Sequence, residues 1–141
     1  MKRLFGSATR IVGAAAAVLG VVVVVLLVFA LRTVCGNDFV REYASPDGGK
    51  KVVVFQRSCG ATTGFSTQAS LLEAKAAFPW RAGNLFAADI GNGGAPAAPW
   101  GGPDLQVLWE GPNKVALRRD PRARVWFCES QVLGVEVRCS P

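Results

Sequence analysis

NDFVREYASPDGGKKVVVFQR, residues Asn37 to Arg57, places two strand-like runs on either side of Ser45-Pro46-Asp47-Gly48-Gly49. Every position of that centre carries turn chemistry: proline presets φ, aspartate bonds its own backbone, and glycine accepts positive φ. The stretch therefore predicts an antiparallel hairpin. Cys35 and Cys59 each lie twelve residues from Asp47, so a hairpin folded there brings the two sulfurs level. Val52 to Phe55 is apolar at every position, as a central strand covered on both faces would be.

Outward from this hairpin, strand signals recur. Thr67 to Glu73 and Asn84 to Ile90 read as strands, although the helix formers of Leu71 to Phe78 (LLEAKAAF) also allow a short helix. Leu105, Val107 and Trp109 alternate with Gln106 and Leu108, and Gly111-Pro112-Asn113 turns the chain into Val115 and Leu117. Val135 and Val137 alternate with Glu136 and Arg138. Val125 to Cys139 can fold about Leu133-Gly134 so that Cys128 faces Cys139. Leu-Gly is not a preferred two-residue turn, so that register is open by one or two residues. Seven or eight short strands with regular turns predict an all-β domain, a small antiparallel sandwich or barrel. Gly91 to Pro103 (GNGGAPAAPWGGP) reads as a loose surface loop, in which Trp100 either folds back as a lid or offers a stacking face.

The amino-terminal third differs. Residues 11–31, IVGAAAAVLGVVVVVLLVFAL, contain no charge and as a helix would cross the ~30 Å hydrocarbon core of a bilayer. Lys2, Arg3 and Arg10 precede this run and Arg32 follows it, so the positive-inside bias leaves residues 1–10 in the cytoplasm and sends residues 36–141 outward. A signal peptide cleaved near Val28-Phe29-Ala30 is the competing reading. Gly13 with Ala17, and Ala16 with Gly20, have the small-xxx-small spacing that permits helix pairing, and hence a homodimer.

Four cysteines, all beyond the apolar run, suit an oxidising compartment. The two hairpin geometries favour Cys35 with Cys59 and Cys128 with Cys139. Zinc is disfavoured, because there is no CxxC spacing and the chain has no histidine. The formal charge of +6 does not point to nucleic acid. Four of the sixteen basic residues flank the apolar run, leaving twelve against ten acidic residues in the rest of the chain.

Without histidine, Ser-His and Cys-His nucleophile activation is excluded, and the acidic residues are scattered singly. No cofactor or catalytic constellation is predicted. Residues 58–70, SCGATTGFSTQAS, remain as a candidate binding loop centred on Thr62, Thr63, Phe65, Ser66 and Thr67. Its hydroxyls either satisfy a tight turn or form a nest for an anion or a sugar. Arg118, Arg119, Arg122 and Arg124 crowd a proline turn. They read as a solvated loop or as a contact for anionic headgroups or an acidic partner, since only residues 32–34 separate the apolar run from Cys35.

The SPDG turn, the basic valine-rich strand and the block from Phe55 to Thr67, FQRSCGATTGFST, together resemble a family of small uncharacterised bacterial envelope proteins. The likeness is close over residues 35–73 and loose elsewhere. It implies a bacterial origin, an envelope location and a bond between Cys35 and Cys59; it brings no catalytic role. Gly48-Gly49 and the Cys128, Cys139 pair depart from the pattern. The expectation is therefore a single-pass inner-membrane protein whose exported domain is an interaction module for an envelope partner. The alternative is a periplasmic binding or inhibitor domain for an anionic or saccharide ligand at residues 60–67.

Overall fold

The computed structural model describes residues 2–32, 35–60 and 63–141. It divides after Val34 into a helical unit and a β unit. Helix α1 (Lys2–Arg32) contains a segment, Val12–Ala30, of mean hydropathy 3.0, long and apolar enough to cross a membrane. The apolar side chains of Val12–Ala30 are exposed, the opposite of a buried core helix.

The β unit is a two-layer sandwich. Strands β1 (Gly36–Ala44), β2 (Lys50–Ser58), β3 (Ser66–Glu73), β4 (Phe86–Asp89) and β7 (Arg124–Cys128) form a five-stranded antiparallel sheet in the order β1-β2-β3-β4-β7. Strands β5 (Leu105–Gly111), β6 (Lys114–Arg119), β8 (Gln131–Val132) and β9 (Val135–Ser140) form the second sheet, in the order β5-β6-β9-β8. The small all-β domain expected from the alternation is present. It departs from a purely antiparallel layout because β6 and β9 run parallel. Leu71 to Phe78 forms no helix: β3 continues to Glu73 and the rest is irregular.

Alternation along the strands builds the core. Val52 and Val54 of β2, Ala69 and Leu71 of β3, and Phe86 and Ala88 of β4 meet Leu105, Val107, Val115, Leu117, Val135 and Val137 of the second sheet. Trp109 donates its indole N–H to the Tyr43 carbonyl at 3.1 Å and so ties the two sheets at the β1 edge.

The hairpin at Ser45–Lys50 forms. Ser45 Oγ donates to Asp47 Oδ1 at 2.6 Å and accepts from the Lys50 amide at 2.9 Å, while Gly48 takes φ of 70°. Ala44 faces Lys51, a register centred between Asp47 and Gly48, half a residue later than the symmetric hairpin about Asp47. A bulge at Val40 returns the register, so that Gly36 faces Ser58 and Cys35 bonds Cys59 with Cα atoms 3.8 Å apart.

The second bridge has a different architecture from the one expected. The turn does fall at Leu133-Gly134, with Val132 facing Val135, but β7 does not pair with β9. The chain changes sheets at Glu129-Ser130, and the bond between Cys128 and Cys139 joins the five-stranded sheet to the four-stranded one across a Cα separation of 6.6 Å.

Candidate functional site

The two outward faces of the sandwich differ in chemistry. On the four-stranded sheet, Lys114 pairs with Glu136 at 3.0 Å and Arg138 pairs with Glu110, leaving a polar surface on which Leu108 is an exposed apolar side chain. The five-stranded sheet is apolar on its outward side as well. Val53 and Phe55 are fully buried there although they point away from the core.

What buries them is the irregular segment 74–84, laid across the sheet. Asn84 bonds both the amide and the carbonyl of Leu71 at 2.9 and 3.1 Å, continuing the β-ladder with a side chain. The Gly83 amide donates to Gln68 Oε1 at 2.8 Å. Asn37 Nδ2 donates to the carbonyls of Pro79 and Arg81 at 2.8 and 2.7 Å. Phe78 packs edge-on against Phe39 and Phe55, with ring centroids 6.1 and 5.8 Å away.

Coverage is incomplete. Trp80 is 73% exposed, Phe39 60% and Trp126 52%, and the Arg81 guanidinium stacks 4.7 Å from the Trp80 ring. Between segment 74–84 and β7 lies a cleft of about 290 Å³, lined by Arg57, Cys59, Thr63, Gly64, Ser66, Gln68, Ala82, Trp126 and Phe127. The register explains its composition: Arg57 faces Ser66 and Ser66 faces Asp89, while Gln68 faces Ala87 and Ala87 faces Phe127, all across one side of the sheet. A bulge between β4 and β7 adds Trp126 to that wall.

Arg57 is the unusual member. It is half-buried, and burial pulls its guanidinium pKa down. Its partners are neutral: Asn37 Oδ1 at 2.7 Å and the Trp80 carbonyl at 3.5 Å, both bonded through Nη1. Among the described residues it forms no ion pair. Neither Arg57 nor Trp126 stands out in the sequence. The available signal was alternation, since Arg57 falls on the same side as Phe55 and two residues before Cys59.

The residues singled out from the sequence distribute as follows. Thr62 lies outside the described residues. Thr63 Oγ1 donates to the Gly60 carbonyl at 3.1 Å. Ser66 Oγ donates to the Arg57 carbonyl at 3.2 Å and accepts from Gln68 Nε2 at 3.1 Å. Thr67 points to the opposite side, into the core, where it donates to the Pro103 carbonyl at 2.6 Å and accepts from Trp100 Nε1 at 2.8 Å. Phe65 lies against Gly101, where an added Cβ would come within 2.5 Å of its ring. The hydroxyls of Thr63, Ser66 and Thr67 thus bond the protein's own groups and do not converge on one point.

The four arginines do not converge either. Arg122 holds Asp120 through both oxygens, at 2.9 and 2.8 Å, and this hydrogen bonding pulls the Asp120 carboxyl down to about 2. Arg124 holds Asp89 in the same bidentate way. Burial would raise the Asp89 carboxyl, but hydrogen bonds from Arg124, the Gly91 amide and Trp126, with the Arg124 charge, together make the net shift downward. Arg118 and Arg119 border a separate hollow of about 330 Å³ together with Asp104, Gln106 and Asp120. Among the described residues, no three histidine, cysteine or carboxylate side chains gather as a metal site would require. Comparison with protein-family models, with curated proteins and with solved structures finds no match.

Proposed function

We propose that the chain is a single-pass bacterial envelope protein, held in the inner membrane by α1 with its amino terminus in the cytoplasm, and that its exported β-sandwich is an interaction module. The apolar span, the basic residues ahead of it and two disulfide bonds support the location. The resemblance of residues 35–73 to small bacterial envelope proteins supports the origin. Pairing of α1 with a second copy through Gly13, Ala17 and Gly20 belongs to the same proposal; an added Cβ at either glycine meets open space.

One observation carries the assignment of the binding face. Trp80, Phe39 and Trp126 remain exposed on the five-stranded sheet, whereas the opposite face exposes no large aromatic side chain among the described residues, although both faces carry ion pairs. Exposed aromatic side chains beside a guanidinium are the composition of interface centres rather than of ordinary solvated surface.

The test is site-specific photocrosslinking of the full-length protein in its native membrane. A photoreactive residue at position 80 or 126 is expected to capture a discrete partner, and the same residue at position 108, on the opposite face, is not. Equal capture from all three positions, or none from 80 and 126, rejects the binding face. External protease on spheroplasts that spares the β domain rejects the topology.

A further inference from the structure

We infer that the cleft between Arg57 and Trp126 is a binding site for a small carboxylate carried on an apolar, ring-bearing body. The inference deepens the reading of this face as the contact surface and rests on it.

A cation partly withdrawn from water and given only neutral acceptors is held at a cost that a counter-charge would reduce. Arg57 is in that position, bonded to an amide oxygen and a backbone carbonyl. Both of those bonds use Nη1, and among the described residues no partner is seen for Nε and Nη2, the planar fork that matches a carboxylate bidentately.

Among the described residues no carboxylate pairs with Arg57. Asp89, on the same row of the sheet, is occupied by Arg124. The other polar side chains of the cleft are also engaged: Ser66 with the Arg57 carbonyl and with Gln68, Gln68 with the Gly83 amide, and Thr63 with the Gly60 carbonyl. The guanidinium is therefore the group that would select a ligand by charge.

The walls set the rest of the ligand. Trp126 and Phe127 stand on one side, and Cys59, Gly64 and Ala82 complete an apolar lining. A volume of about 290 Å³ is at the small end of ligand pockets, room for one ring and its carboxylate but not for an extended chain. Two sources carry that chemistry: a free aryl-substituted acid, or the carboxyl-terminal residue of a peptide ending in an aromatic side chain.

The experiment titrates full-length protein in detergent micelles with 3-phenylpropionate and with N-acetyl-L-phenylalanine, each against its uncharged carboxamide, following Trp126 by fluorescence and by its indole N–H resonance. Ligands of this size bind with Kd of about 1 mM. Saturable binding is expected for at least one acid, at least tenfold weaker for its amide, and the stronger acid identifies the source. Trp126→Ala, at an exposed position, should weaken binding about tenfold, and Arg57→Lys should weaken it while leaving the melting temperature near that of the parent. Amides that bind as well as the acids, or no saturable change with either acid, overturn the inference. Acid binding without crosslinked partners from positions 80 and 126 would sustain the site and reject the protein-interface reading, so the two failures are distinguishable.

Discussion

The Trp100 indole N–H donates to the Thr67 hydroxyl across 2.8 Å, and the same hydroxyl donates to the Pro103 carbonyl across 2.6 Å. One buried side chain thus fastens both the aromatic residue and the end of the glycine-rich loop to the start of β3. Gly102 is required for the approach, since a Cβ there would come within 2.4 Å of Thr67 Oγ1. Thr67→Val keeps the volume but leaves an indole N–H and a carbonyl unpaired, and should cost about 2 kcal/mol in chemical denaturation. Thr63→Ala, at an exposed hydroxyl, should change stability by no more than about 0.5 kcal/mol. Equal effects at the two sites would contradict this division between a buried fastening and a surface turn.

Segment 74–84 forms one wall of the Arg57 cleft, and at Gly83 it lies tight against the sheet. An added Cβ there lies 2.5 Å from the Ala69 carbonyl oxygen, a backbone atom of β3 that has little freedom to move. Gly83→Ala should therefore lift the segment, destabilise the domain by about 3 kcal/mol, and expose Phe55. Gly111→Ala meets nothing within 4 Å and serves as the control, with a change within about 0.5 kcal/mol. Hydrogen exchange at the Gly83 amide, which bonds Gln68, should accelerate in the first variant and not in the second.

Acid lability follows from the two bidentate pairs. Asp120 is lowered from 3.8 to about 2 by its hydrogen bonds from Arg122, and Asp89 is also lowered, burial opposing while Arg124, the Gly91 amide and Trp126 together prevail. A carboxyl whose folded pKa lies below its unfolded value stabilises the fold fully above the unfolded value. That contribution is lost as pH falls through the folded one. For Asp120 the window is from about 3.8 down to about 2. Thermal melts of the Asp89→Asn, Asp120→Asn double variant should therefore show a smaller drop between pH 4 and pH 2 than the parent, while the variant is the less stable of the two at pH 7. A parallel pair of profiles would remove these ion pairs from the acid response.

Much of the sandwich was legible in the sequence because its determinants are local. Alternation marks Leu105 to Trp109 and Val135 to Val137, turn chemistry marks Ser45 to Gly49, and the uniform apolarity of Val52 to Phe55 shows a strand covered twice. What covers it was not legible. LLEAKAAF has the composition of a helix, yet β3 uses its first three residues and Phe78 packs on Phe55 from an irregular segment, a tertiary contact overriding propensity. The parallel pairing of β6 with β9 joins residues about twenty apart with no local signature. The Arg57 cleft is further removed still, because Arg57 and Trp126 meet only through the strand order β2-β3-β4-β7. Local chemistry thus identifies the strands, while the site depends on their order.

The Leu133-Gly134 turn is the place where sequence and backbone conflict most openly. Two residues connect β8 to β9, with Val132 facing Val135, and both have positive φ, 46° at Leu133 and 75° at Gly134. That is the geometry of a type I′ turn, whose twist matches the flanking strands and which favours Asn-Gly. Glycine adopts it freely, but leucine there brings its Cβ against its own carbonyl at roughly 1 kcal/mol, and half of its side chain is exposed without compensating burial. The turn persists because its surroundings fix it. The Val137 amide bonds the Ser130 carbonyl at 2.9 Å, the Glu136 amide bonds the Asn113 carbonyl at 2.9 Å, and Cys139 is bonded to Cys128. Leu133→Asn should relieve the strain and raise stability by about 1 kcal/mol, whereas Leu133→Val, with branching at Cβ, should lower it by a similar amount. Denaturation of the two variants side by side decides the matter, and an asparagine variant no more stable than the parent would show that this turn does not hold Leu133 at positive φ.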